Sequence, residues 1–225
     1  MLLSPKTHFP AETIEGWIFD LDNTIYPAVS GLFDQVAFRM NSFLEERFNL
    51  DNNAARAMRS DLFQRYGTTA KGLMEDHDMD PHDFLSYVHD IDLSSVSYDR
   101  ELDESLANLP GKKVIFTNGT TRHAMRILEA YKIDHHFSYC YDIIEADHRP
   151  KPDPVVYDDM LAKTGLDPKT AVMIEDMAVN LEPASARGIT TVWLDHDLDW
   201  SKPGMVAPYI DFIACDLKEF FSKLG

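Results

Sequence analysis

Two aspartates, Asp20 and Asp22, stand two residues apart in the stretch GWIFDLDNTIYP, where an apolar run of strand character turns polar. On a strand, residues i and i+2 point to the same side. Both carboxylates are therefore expected to face one place at the carboxyl end of that strand, the edge at which open α/β sheets bind ligands. Two neighbouring carboxylates repel each other unless a cation or a shared proton resolves them. A hard divalent ion such as Mg²⁺ is the natural partner for oxygen ligands. Three further stretches end apolar runs in a similar way. IFTNG offers the Thr117 hydroxyl, the Asn118 amide, and Gly119, which lets backbone N–H groups come close to an anion. RPKPDP offers Lys151 as a fixed positive charge in a proline-stiffened loop. MIEDMAVN offers Glu175 and Asp176, two more hard oxygen ligands. Acids for a metal, with donors and a lysine for an anion, fit phosphoryl transfer, where catalysis is mostly positioning and charge neutralisation.

The chemistry this set predicts is covalent. Asp20 attacks phosphorus in line and forms an aspartyl-phosphate. Asp22 protonates the leaving alkoxide and then deprotonates the water that cleaves the intermediate. Mg²⁺ offsets the charge on Asp20 and the phosphate. Lys151, Thr117 and the backbone around Leu21 and Asn118 hold the phosphoryl oxygens.

Positioning such groups takes a parallel sheet. Five apolar runs read as strands: 17–21, 113–117, 138–144, 171–175 and 190–195, with DFIACDL as a sixth. The runs are continuous rather than alternating, which suits strands covered on both faces. Helices are expected between them. Ala124, Ile127, Leu128 and Tyr131 share one helical face. Asp153 and Pro154 read as the cap and first position of a helix stopped by Gly165, and NLEPASARG closes at Gly188. Residues 25–103 carry helical patterns only. Phe33, Val36, Ala37, Met40, Phe43 and Leu44 mark one helix, and Ala54, Met58 and Leu62 a second. A third is capped by Asp80 and Pro81 and buries Phe84, Leu85 and Val88. The expectation is an α/β core formed by residues 1–24 and 104–225, with a helical insertion, 25–103, between its first two strands.

FDLDNT, FTNG, KP and IED, in that order, resemble the four motifs of the haloacid dehalogenase superfamily. The resemblance implies a Rossmann-like three-layer core with strand order 5-4-1-2-3 and a mobile helical cap. It also implies Mg²⁺ held by Asp20, the backbone carbonyl of Asp22, and Asp176, with Glu175 ligating directly or through water. An acid at Asp22 resembles the phosphatases and phosphomutases of the superfamily rather than its dehalogenases. DLDNTIYP, TNGTTRHAMRIL, RPKPDPVVY and IEDMAVNL are similar to the pyrimidine 5'-nucleotidase group, which implies hydrolysis of a nucleoside 5'-monophosphate such as UMP or CMP. Other readings on the same motifs are a phosphatase of another small phosphate ester, a phosphosugar mutase, and a ligand-sensing protein without catalysis.

Other residues carry two readings each. Tyr26 lines the substrate or packs between insertion and core. His123 touches substrate or lies on a helix surface, and Asn180 stands behind the metal ligands or caps the following helix. Arg149 assists the phosphate or pairs with local acids such as Glu145 or Asp147. His77, His82 and His89 read as surface residues. His135 and His136 are adjacent rather than four apart, which argues against a zinc site. Cys140 and Cys215 lie in apolar runs and read as reduced core thiols.

With 21 Lys and Arg against 38 Asp and Glu, the 225-residue chain has a net charge of −17. Such a surface repels nucleic-acid polymers but not a small phosphate ester met by a local cation. The amino-terminal stretch lacks the pattern of a signal peptide and no apolar run nears membrane-spanning length, so a cytoplasmic place is expected.

Overall fold

A computed structural model describes residues 9–196 and 207–224. At its centre lies a parallel sheet of β1 (Gly16–Phe19), β2 (Lys112–Phe116), β3 (Tyr139–Tyr141), β4 (Ala171–Glu175), β5 (Thr190–Leu194) and β6 (Phe212–Ala214), in the order β3-β2-β1-β4-β5-β6. This is the implied order 5-4-1-2-3 extended at one edge by β6, the DFIACDL strand. Every pairing is parallel, and central Phe19 lies between Ile115 and Ile174. The carboxyl ends of β1, β2 and β4 therefore open at one edge.

Two cores explain why the strand sequences are apolar throughout. Trp17, Phe19, Ile115, Val172 and Ile174 pack on one face of the sheet, and Ile18, Val114, Phe116 and Met173 on the other. Each such side chain removed from water contributes about 1.5–3 kcal/mol. Helices α6 (Thr121–Tyr131), α7 (Pro154–Thr164), α8 (Leu181–Ala186) and α9 (Leu217–Ser222) alternate with the later strands. α7 starts at an Asp153 cap with Pro154 in its first turn and stops at Gly165, which takes the left-handed conformation.

Between β1 and β2 lie α1 (Leu32–Phe48), α2 (Asn52–Tyr66), α3 (Thr69–His77), α4 (Pro81–Val88) and α5 (Arg100–Asn108). The first four pack on one another, whereas α5 packs against α9. Val36 and Leu44 of α1 and Phe84, Leu85 and Val88 of α4 are buried as their spacing predicts. In α2 the buried position is Ala55 rather than Ala54, one residue out of the expected phase. The third strand is shorter than its apolar run. Asp142 turns the chain by accepting the N–H groups of Thr121 and Glu145 at 2.6 and 2.8 Å. Cys215 is exposed and Cys140 only partly buried, so the core-thiol reading fails for Cys215, which falls just beyond β6. Among the described residues no helix is long and apolar enough to cross a membrane.

Candidate active site

β1 ends at Phe19, earlier than its apolar run suggests, because Leu21 O accepts from both Thr24 N and Ile25 N and closes a tight turn. The alternation of a strand is thus not what places Asp22. Asp20 continues from the sheet, with its N–H on Ile174 O at 3.0 Å, while Asp22 sits in the turn that follows.

Lys151 joins the motifs. Its ammonium is buried and donates to Asp20 Oδ1 at 2.8 Å, Glu175 Oε2 at 2.7 Å and Phe116 O at 2.7 Å. Asn118 holds the Lys151 backbone from both sides: Lys151 N donates to Asn118 Oδ1 at 2.7 Å, and Asn118 Nδ2 donates to Lys151 O at 3.2 Å. The Asn118 amide, expected at the substrate, is therefore engaged with the main chain of the lysine loop. Thr117 is buried and its Oγ1 accepts from Gly119 N at 2.9 Å. A Cβ added at Gly119 would stand 3.2 Å from Thr117 Oγ1 and 3.4 Å from His123 Cδ2, so the tight loop leaves little room for any larger residue.

Asp20, Glu175 and Asp176 are all buried, and each offers an oxygen within 4.8 Å of the others. Asp176 is held by Asn23 Nδ2 at 3.5 Å, and its carbonyl accepts from Trp193 Nε1 at 2.8 Å. Asp20 Oδ2 is buried without a hydrogen-bond partner. With all three carboxylates ionised, one lysine would leave two negative charges in a water-poor place, an arrangement that costs free energy unless a cation or protons complete it. An orphaned carboxylate oxygen, an all-oxygen donor set and a deficit of two charges fit a hard divalent ion.

The electrostatics agree. Burial, and then the charge of Glu175, raise the Asp20 pKa from 3.8 to about 7. Burial and the same neighbour push Asp176 well above the carboxylate range. A folded-state pKa above the unfolded one means that the folded protein holds the proton more tightly. Without metal, this contribution is fully present below about pH 4 and lost as pH rises through about 7. Mg²⁺ added to EDTA-treated protein is therefore expected to raise the melting temperature more at about pH 8 than at about pH 5, as protons and the ion compete for the same oxygens. An equal shift at both, read by differential scanning fluorimetry, would contradict this balance.

Asp22 belongs to a second network that sequence reasoning missed. Thr120 caps α6 by accepting from His123 N at 3.2 Å, and this turns His123 back over the strand ends. His123 is buried, not on a helix surface, and its Nε2 donates to Asp22 Oδ1 at 3.0 Å. The Tyr26 hydroxyl donates to the same oxygen. Tyr26 has no exposed surface, so it packs behind Asp22 rather than facing a substrate. Burial alone would raise the Asp22 pKa, but His123 and Tyr26 outweigh it and hold the group below the usual range. His89, expected on the surface, stacks on His123 with ring centroids 4.1 Å apart and shares a hydrogen bond with Thr120 Oγ1 at 3.2 Å. Burial and the charge of His123 lower its pKa to about 3, which keeps it neutral. The one sequence signal for this network was a Thr at the helix cap, three residues before a His.

The remaining candidates are more ordinary. Asn180 is buried at the start of α8 but makes no side-chain cap; its carbonyl accepts from Tyr157 OH at 2.5 Å. Arg149 is exposed, and Glu145 pairs with Lys163 at 3.2 Å.

Fold and site define an α/β protein with an acid-rich centre at the carboxyl edge of a parallel sheet. The profile of the haloacid dehalogenase-like hydrolases matches residues 14–188, and the chain belongs to that family. It is 29% identical over 203 residues to phosphate metabolism protein 8 of Saccharomyces cerevisiae, a match covering 82% of this chain and 63% of the yeast protein. The chain thus spans less than two thirds of that relative. Its fold is similar to that of a HAD phosphatase from Thermococcus onnurineus, with TM-score 0.62, 18% identity and coverage of 94% and 98% of the two chains. It is also similar to the HAD-hydrolase YfnB from Bacillus subtilis, with TM-score 0.61, 13% identity and coverage of 94% and 99%.

Proposed function

We propose that the protein is a Mg²⁺-dependent phosphomonoesterase that works through an aspartyl-phosphate and dephosphorylates pyrimidine nucleoside 5'-monophosphates. The observation that carries the reaction is the asymmetry of Asp20. One of its oxygens is held by Lys151, and the other is buried and unpartnered. A carboxylate fixed by one oxygen presents the other as an oriented nucleophile. Oδ2 attacks phosphorus and the bond to the alkoxide breaks. Asp22, on the turn beside it, gives the leaving oxygen a proton. In the second half Asp22 takes a proton from water, whose oxygen attacks phosphorus and releases phosphate and Asp20. The low pKa of Asp22 suits this second half; an arriving phosphate dianion raises it towards the acid needed in the first. Asp20, Asp176, Glu175 and the backbone of Asp22 would hold Mg²⁺, which when bound offsets the charge of nucleophile and ester. The Thr117 hydroxyl and the backbone N–H groups of its loop reach the phosphoryl oxygens.

We assign the leaving group to a neighbouring cleft, which meets this centre at Thr120 and His123. A cleft of about 880 Å³ runs between α4 and α6, lined by Arg39, His82, Tyr87, His89, Thr120 and Arg122 among others. Its size lies in the range that small-molecule ligands fill, roughly 300–1,000 Å³. Arg122 is exposed, while Arg39 and Arg126 are anchored on the carbonyls of Tyr87 and of His89 and Ile91. The same lining carries Asp90, Asp142 and Glu145, with Arg39 3.5 Å from Asp90, so arginines and acids are balanced and the cleft suits a guest without net charge, such as a nucleoside. Planar Tyr87 and the imidazoles suit a base.

Phosphate release from a panel of purine and pyrimidine monophosphates and sugar phosphates, with and without Mg²⁺, tests the reading. UMP and CMP are expected to give the highest kcat/KM, and only with the metal. Release from a sugar phosphate at a higher rate would reject the nucleotide; release from none would reject the phosphatase. Asp22→Asn is expected to lower kcat with UMP by about 10²–10⁴-fold, but far less with an aryl phosphate whose leaving group needs no proton. Equal losses on both would remove Asp22 from the acid role.

A further inference from the structure

Outside the active site, Asp103 on α5 meets His135 and His136 on the one-turn helix Asp134–His136 before β3. Their ligand atoms all lie within 4.8 Å of one another. Both imidazoles aim Nε2 at a single oxygen, Asp103 Oδ1, at 3.5 Å from His135 and 2.6 Å from His136. The other oxygen, Oδ2, accepts from Tyr98 OH at 2.7 Å. The His136 side chain is 10% exposed and that of Asp103 23%, while His135 is 59% exposed. We propose that Asp103, His135 and His136 form a second metal centre, selective for a late first-row divalent ion such as Zn²⁺.

The geometry is close to that of a ligand set. Around a tetrahedral Zn²⁺, nitrogen and oxygen ligands stand about 3.4 Å apart. The His135 distance, 3.5 Å, is close to that value, and the His136 distance, 2.6 Å, needs to open by less than about 1 Å. In the metal-free state both Nε2 atoms face one carboxylate oxygen; with each neutral imidazole carrying its proton on Nδ1, two nitrogen lone pairs and an anion are directed at one point. Tyr98 supplies the outer hydrogen bond that commonly orients a ligating carboxylate, and with His136 it holds the Asp103 pKa below the usual range. Exposed His135 leaves the fourth position to water. Adjacency in sequence, which argued against a zinc site, is not an obstacle here: the tight turn brings the two rings to 4.0 Å between centroids. The two centres would sort metals by donor type. Two imidazoles and one carboxylate suit Zn²⁺, whereas the all-oxygen set of Asp20, Glu175 and Asp176 suits Mg²⁺. A bound ion would also tie α5 to the connection between α6 and β3.

The test uses untagged full-length protein in excess Mg²⁺, titrated with Co²⁺ as a spectroscopic probe for the Zn²⁺ site. One Co²⁺ per chain is expected, with visible d–d absorption that Zn²⁺ abolishes by displacement, and Zn²⁺ is expected to raise the melting temperature. His135→Ala, whose side chain is mostly exposed, is expected to bind Co²⁺ about 100-fold more weakly or worse while keeping its Mg²⁺-dependent activity. Asp103→Asn is expected to lose the band as well, and Asp176→Asn to retain it. Absence of the band in the wild type, or a band unchanged in His135→Ala and Asp103→Asn, would overturn the site. The optical signal does not depend on phosphate release, so the failure of either proposal leaves the other standing.

Discussion

Asp20→Asn is expected to lower kcat/KM for phosphate release by on the order of 10⁴–10⁶-fold, the scale seen when a covalent nucleophile is removed. The substitution is nearly isosteric. The amide oxygen can still accept from Lys151 as Asp20 Oδ1 does at 2.8 Å, so the loop carrying the lysine stays in place. What changes is the free side. Asp20 Oδ2 is the carboxylate oxygen in the cluster that is buried without a partner, and a neutral amide nitrogen there cannot form an acyl phosphate. The same replacement removes one negative charge from beside Glu175 and Asp176. In the wild type that charge is costly enough to move the Asp20 pKa to about 7. The metal-free variant is therefore expected to be more stable than metal-free wild type at about pH 8, by on the order of a few kcal/mol, and the gap is expected to close towards about pH 4. A catalytic residue whose loss raises stability is the pattern of a functional site held at an energetic cost. Residual turnover within about tenfold of wild type, or a lower melting temperature of the metal-free variant at about pH 8, would contradict the role of Asp20.

Much of this centre was legible because parallel strands end at one edge. Asp20, Thr117 and Asp176 each follow an apolar run directly, and the register that puts Phe19 beside Ile115 and Ile174 brings those ends together. Helix caps were legible for a similar reason: Asp153, Pro154 and Gly165 act within one turn of themselves. The network around Asp22 was not legible. It joins residues 22, 26, 89 and 123, and no local rule relates a histidine at the end of α4 to one in the first turn of α6. Burial was also misjudged where a run reaches past its strand, as with Cys215. The meeting of His135 and His136 with Asp103 was not legible either, because spacing rules consider one helix face, whereas here a tight turn brings neighbouring rings together with a carboxylate from another element.

Lys151→Met is expected to have the largest effect on folding. The lysine side chain is 1% exposed, and its ammonium meets two carboxylates and the Phe116 carbonyl. It also lies 5.0 Å from the centre of the Phe116 ring. Methionine keeps much of the stem but leaves Asp20, Glu175 and Asp176 with no positive charge among them. Breaking a buried pair by removing one partner typically costs about 3–5 kcal/mol, because the remaining charge cannot be rehydrated. For a chain of this size that corresponds to a fall in melting temperature of roughly 6–20 °C. The sign of the rescue separates charge from packing. If the deficit is one of charge, Mg²⁺ should restore more stability to the variant than it adds to the wild type, and acid should do the same by protonating the carboxylates. If the lysine matters mainly as filling, neither should help. Urea denaturation of both proteins in EDTA and in Mg²⁺ measures the difference directly. A loss below about 1 kcal/mol, or a loss indifferent to metal and pH, would mean that the three acids are already neutral in the resting protein. They would then no longer require a cation.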